Sequence, residues 1–224
     1  MKRSRWRAAR ARLLTPETIA YHEAGHVVVA YEFGWWVRRG GVRSGAWPHA
    51  RLRWRESDDT MLAHVCVSLA GLLAEQKFHG LEWHLEEDVV EHLRAVRAGE
   101  DEGLRLDPSD LRAVALALLD DDPPISLAAA RRAAVYSQEY TEALLDDPRV
   151  WGGVERLAKA LYRRRYLSPR AVKKVLGDAF FADAGRMIRD SQFQRGGGCA
   201  GAVVGCAGAV VAYHQYPPSG RPRL

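Results

Sequence analysis

Cysteine is scarce in this 224-residue chain: Cys66, Cys199 and Cys206 are its three, and none stands in a Cys-x-x-Cys pair. So odd and sparse a set builds no disulfide framework and suits a reducing compartment. Cys66 falls on an apolar helical stripe and reads as a packed thiol. The first dozen residues, MKRSRWRAARAR, hold six Arg or Lys and no acid. No apolar run follows them, so a secretory signal is not expected and a cytoplasmic location is. Nor does the chain repeat itself internally. What it has is 47% apolar and 27% charged residues, the proportions of a globular protein. The net charge of +5 comes largely from the basic start, which is read as a solvated arm, with no nucleic-acid partner expected.

Helical signals dominate the rest. Thr15-Pro16, with Glu17 in the first turn, opens a helix whose stripe runs Ile19, His22, His26, Val29, Phe33 and which Gly34 closes. Glycines and Pro48 interrupt residues 35–57, where Arg51-Leu52-Arg53-Trp54-Arg55 alternates as a half-buried strand does. A second helix follows Asp58 or Asp59, faces Leu62, Val65, Cys66, Leu69, Leu72 and Leu73 inward, and stops at Gly80. A third runs from about Leu85 to Ala98. Further helices start at Pro108-Ser109-Asp110, at Ser126, near residue 150 and at Ser168-Pro169. Residues 196–213 are uncharged but include six glycines. A packed Gly/Ala tail is the expected reading, with membrane contact through this segment as the alternative.

The segment His22-Glu23-Ala24-Gly25-His26 carries the chemistry. Histidines four apart project from one helix face and can grip a single cation. Glu23, about 100° further round, does not chelate beside them but reaches a water from the side, as a general base. With 8 histidines in the chain, chance yields roughly 0.02 matches to this spacing. Both imidazoles lie on an otherwise apolar stripe, where burial without a partner is costly. Gly25, mid-helix at a cost of about 1 kcal/mol, points to close packing there. Zinc suits two imidazoles and requires a third protein ligand. Glu32 points away from the pair, so the ligand comes from a later element. Spacing alone leaves Asp88, Glu87, Glu91, His84 and His92 open.

The run from Thr18 to Ala30 (TIAYHEAGHVVVA) strongly resembles the peptidase domain of FtsH-type ATP-dependent zinc proteases. Val65 to Glu75, followed by Gly80, resembles that family's second helix, with its Leu-Gly-Gly-Arg-Ala-Ala-Glu-Glu run. Glu87-Asp88-Val89 resembles its Asn-Asp-Ile/Leu, whose Asp ligates zinc, and segments up to about residue 177 resemble its closing helices. The family's Ser-Thr-Gly-Ala stretch before that Asp is replaced here by residues 81–86. No Gly-x-x-x-x-Gly-Lys-Ser/Thr phosphate loop occurs in the chain.

The resemblance implies a mainly α fold with a small β-sheet (α+β), built on the metal helix and followed by a C-terminal helical bundle. Divided along the chain, residues 1–14 are the basic arm, 15–105 the peptidase core, 106–190 its helical C-terminal part and 191–224 the tail. The implied site is Glu23 as base with His22, His26 and Asp88 on Zn2+. The implied activity is ATP-independent metalloendopeptidase cleavage of peptides or unfolded protein. A separate ATPase, or self-association, remains open as a partner. Arg51, Arg53 and Trp54 are candidate substrate contacts on an edge strand. The competing expectation is a non-catalytic, metal-containing adaptor or regulatory module of the same fold. Retention of Glu23 argues against it, because binding a metal does not require that residue.

Overall fold

A computed structural model describes residues 10–37, 42–43, 52–53, 61–82, 85–99, 109–119 and 125–183. Residues 10–13 form a helical turn. Helix α1 (Pro16–Glu32) begins where expected: the Thr15 hydroxyl accepts from Thr18 N at 3.1 Å, and Pro16 occupies the first turn. Gly34, at φ +76°, takes the left-handed position that closes the helix. The Gly34 and Trp35 amides return to the carbonyls of Tyr31 and Ala30. Two-residue strands β1 (Trp36–Val37), β2 (Val42–Arg43) and β3 (Leu52–Arg53) follow. Next come α2 (Met61–His79), α3 (Glu86–Ala98), α4 (Ser109–Leu119), α5 (Leu127–Asp146) and α6 (Pro148–Arg164). Strand β4 (Tyr166–Leu167), α7 (Pro169–Leu176) and α8 (Asp178–Asp183) complete the described chain.

The mainly helical expectation holds. A sheet layer does not accompany it among the described residues. The strands pair only as two separate antiparallel ladders, β1 with β3 (Trp36 opposite Arg53) and β2 with β4 (Val42 opposite Leu167).

Helix α1 is the centre of the molecule, packed against α2 on one side and α6 on another. That placement changes the single stripe read from the sequence. Every residue from Ala20 to Glu32 is buried, because neighbours cover the helix nearly all round. Helix α4 packs on α2 and α3, while α5 packs on α2 and α3 and contacts α6. Of the C-terminal helices, α6 packs directly on α1, and α7 and α8 pack on α6. One hydrophobic cluster runs from Ala20 through Leu111 and Leu157 to Phe180.

The α1–α2 contact is close because glycine permits it. A Cβ on Gly25 would stand 2.5 Å from the Ala70 carbonyl oxygen and 2.7 Å from Ala74 Cβ. The cost of glycine in mid-helix is thus exchanged for near backbone-to-backbone packing. No helix among the described residues is long and apolar enough to cross a membrane. Residues 196–213 lie outside the described set, as do residues 1–9.

Candidate metal centre

One turn of α1 separates His22 from His26, and both rings are buried, at 7% and 8% exposure. Their planes stand 87° apart and their Nε2 atoms converge to 3.0 Å. The outward nitrogens explain that convergence. His26 Nδ1–H donates to the Val67 carbonyl at 2.6 Å, which leaves the Nε2 lone pair pointing inward. His22 Nδ1 stands 2.6 Å from Glu75 Oε1, a charge contact made off the ring N–H axis and not an aligned hydrogen bond. Both partners, the Val67 carbonyl and the Glu75 carboxylate, come from α2, so the α1–α2 packing sets the two rings. Gly71, also on α2, gives them room: a Cβ there would lie 2.4 Å from His26 Nε2 and 2.7 Å from His22 Cε1.

The third group is Asp110, in the first turn of α4. Its Oδ2 lies 3.2 Å from His22 Nε2 and its Oδ1 lies 3.4 Å from His26 Nε2. Imidazole and carboxylate place their atoms about 2.0–2.1 Å from a small divalent ion, which in a tetrahedron makes the ligand-to-ligand edge about 3.3 Å. The Nε2–Nε2 separation of 3.0 Å lies near that edge, and each ring has its own carboxylate oxygen close by, Oδ2 at 3.2 Å from His22 and Oδ1 at 3.4 Å from His26. His22, His26 and Asp110 thus form a group able to hold a metal ion, and a tetrahedron through them keeps a fourth corner for water or substrate. Asp110 is the most exposed of the three, at 16% of its side chain.

The electrostatics agree. Burial opposes ionisation of Asp110, but His22 and His26 outweigh it and hold the carboxyl well below its usual range. Burial likewise opposes charge on His22, yet Asp110 and Glu75 together raise its pKa well above the ordinary value. Glu75 is fully buried, and its carboxyl is nonetheless lowered by His22 and Arg10. Arg10 grips it with Nε and Nη2, each at 2.6 Å. Among the described residues, the guanidinium bonded to Glu75 is that of Arg10. A proton on His22 Nε2 and a cation between the rings would compete for the same nitrogen.

The expected ligand Asp88 is not part of this group. It is buried at 4% on the first turn of α3, and its backbone carbonyl accepts from His92 Nδ1 at 2.8 Å. The cause is packing: α3 lies against α4 and α5, while α4 lies directly on α2 and so reaches the rings. Of the alternatives, Glu87 pairs with Arg131 at 2.6 Å, Glu91 lies outside the group, and His84 is outside the described residues. A usable signal existed. Ser109-Asp110-Leu111 matches Asn-Asp-Ile/Leu as closely as Glu87-Asp88-Val89 does and keeps the Leu, but Asp110 reads equally well as an ordinary helix-start acid.

Glu23 is buried at 2% on α1, directly after His22. Glu32 does point elsewhere, to Arg149. Arg51 and Trp54 lie outside the described residues, and for Arg53 only the backbone, paired in β3, is described. Two contributors went unread in the sequence: Glu75, whose run was noted without a role, and Arg10, assigned to a solvated arm. Comparisons of the chain with protein-family models, with curated proteins and with solved structures give no match.

Proposed function

We propose that this chain is a zinc-dependent metalloendopeptidase of FtsH-peptidase type, acting on peptides or unfolded protein segments without an ATPase of its own. The observation that carries the reading is the convergence of His22 Nε2, His26 Nε2 and the Asp110 carboxylate within ligand reach of one another, with Glu23 next in sequence to His22. Two imidazoles and one carboxylate with a free corner form the donor set of a hydrolytic zinc site. Asp110 replaces Asp88 as the third ligand in this reading.

Bound there, zinc would lower the pKa of a water and polarise the scissile carbonyl. Glu23 takes the proton from the attacking water and passes it to the leaving amine. Val67, through its carbonyl, and Glu75 keep the two rings turned inward throughout. Burial of the rings and of Glu23 excludes bulk water, which strengthens each of these charge interactions. The β1–β3 ladder is the proposed edge for an extended substrate.

Metal analysis of the purified chain, run beside digestion of a casein-like unfolded substrate, tests this. One equivalent of zinc and chelator-sensitive cleavage are expected. Glu23→Gln should keep the zinc and lose at least 100-fold in cleavage rate, the lower part of what general-base catalysis supplies (about 10²–10⁴-fold). Cleavage that survives this change removes Glu23 as the base. Zinc without any cleavage in the unaltered chain would favour the adaptor reading.

A further inference from the structure

The segment before α1 reaches into the metal centre. Arg10 lies 65 residues from Glu75 in sequence, yet its fork holds both carboxylate oxygens, Nε to Oε2 and Nη2 to Oε1, at 2.6 Å each. Glu75 is completely buried, and the same Oε1 that receives Nη2 also faces His22 Nδ1. A planar guanidinium with two parallel bonds fixes a carboxylate in angle as well as in place, which a single ammonium does not. On the other face of His22, Asp110 stands at Nε2. The imidazole is therefore held between two carboxylates, and only one of them is clamped.

We propose that Arg10 is a positioning residue of the metal centre: by clamping Glu75 it orients His22 so that Nε2 meets the ion, making residues 10–13 a working part of the site. This rests on the metal reading above. Without the clamp, Glu75 keeps its buried negative charge but not its direction, and the ring loses its backing. Outer partners of a metal-bound histidine typically contribute a 10–100-fold effect on affinity. Arg10 acts one contact further out, so the lower end applies.

The competing account is that Arg10 merely ties down the chain before α1. A second tie allows the two to be separated: Thr18 Oγ1 donates to the Leu13 carbonyl at 2.7 Å and touches neither Glu75 nor the rings. Zinc dissociation constants are measured by chelator competition on the full chain and on Arg10→Gln, Arg10→Lys, Glu75→Gln, the Arg10→Gln/Glu75→Gln double variant and Thr18→Val. Visible spectra of the Co2+-substituted proteins are recorded alongside.

Arg10→Gln should weaken zinc binding about tenfold, and Arg10→Lys should recover part of the loss. The double variant should bind no more weakly than Glu75→Gln alone, since Arg10 acts through Glu75. It also leaves no unpaired buried charge, which keeps the test usable if Arg10→Gln folds poorly. The Co2+ bands should move in Arg10→Gln and stay in place in Thr18→Val. Unchanged zinc affinity in Arg10→Gln, additive losses in the double variant, or an equal loss in Thr18→Val each overturn the positioning role while leaving the metal centre intact. An unaltered chain that takes up no zinc removes the metal reading itself.

Discussion

Helix α1 carries two buried charge centres of different design. Near its C-terminal end, Glu32 is 1% exposed and both its oxygens are taken by Arg149, at 2.7 and 2.8 Å. The guanidinium also lies over the Phe180 ring, 5.1 Å from its centroid. Both carboxylate oxygens are already engaged by that one guanidinium. Two turns earlier, Asp110 and Glu75 stand around two imidazoles with one guanidinium. There the Glu75 oxygens are held by Arg10, while the two Nε2 atoms and the Asp110 carboxylate converge as a group that could hold a cation. A buried ionic residue is therefore not evidence of function by its burial; what separates the two ends is whether the donors are already spent.

The comparison breaks most visibly at Asp110. Asp110→Ala should abolish stoichiometric zinc while Asp88→Ala retains it, read as metal per chain after gel filtration; the reverse result would restore Asp88 as the ligand. At the Glu32 end the effect moves to stability. Glu32→Gln leaves the partly exposed Arg149 facing a neutral acceptor and should cost about 1–2 kcal/mol in urea unfolding, with zinc content unchanged. Zinc lost along with Glu32 would mean that the two ends are one network.

The smallest effect concerns a group belonging to neither end. Burial pushes the Cys66 thiol up to about 12, against partial relief from Thr141 and Ser137. In a Cys199→Ser/Cys206→Ser background, Cys66 should resist alkylation in the native protein at pH 8 and react once the chain unfolds. Because its folded pKa is raised, its share of stability is complete below about pH 8.5 and declines as pH rises toward 12. Rapid native labelling would show α2 to be less tightly packed than the rest of the core.

Much of the helical plan was legible because its signals are local. Thr15-Pro16 and Ser168-Pro169 each combine a side-chain cap with a proline in the first turn, and both helices begin there. Gly34 and Gly80 have the positive φ that ends a helix. The sheet was less legible. Alternation over residues 51–55 indicates extended chain, but whether strands join into a layer depends on partners far along the sequence, and among the described residues Leu52–Arg53 pairs with Trp36–Val37 alone.

Of the metal centre, the sequence alone determined the pair of imidazoles, because four residues on a helix is one turn and brings side chains to one face whatever surrounds it. Gly25 announced a close neighbour for the same local reason, without saying which. That Asp110 and not Asp88 stands beside the rings, with Glu75 and Arg10 behind His22, was decided only when α2 and α4 packed around α1. An acid at the start of any helix looks alike in sequence. Which one meets the histidines depends on distances across the core, and those exist only after the helices have docked.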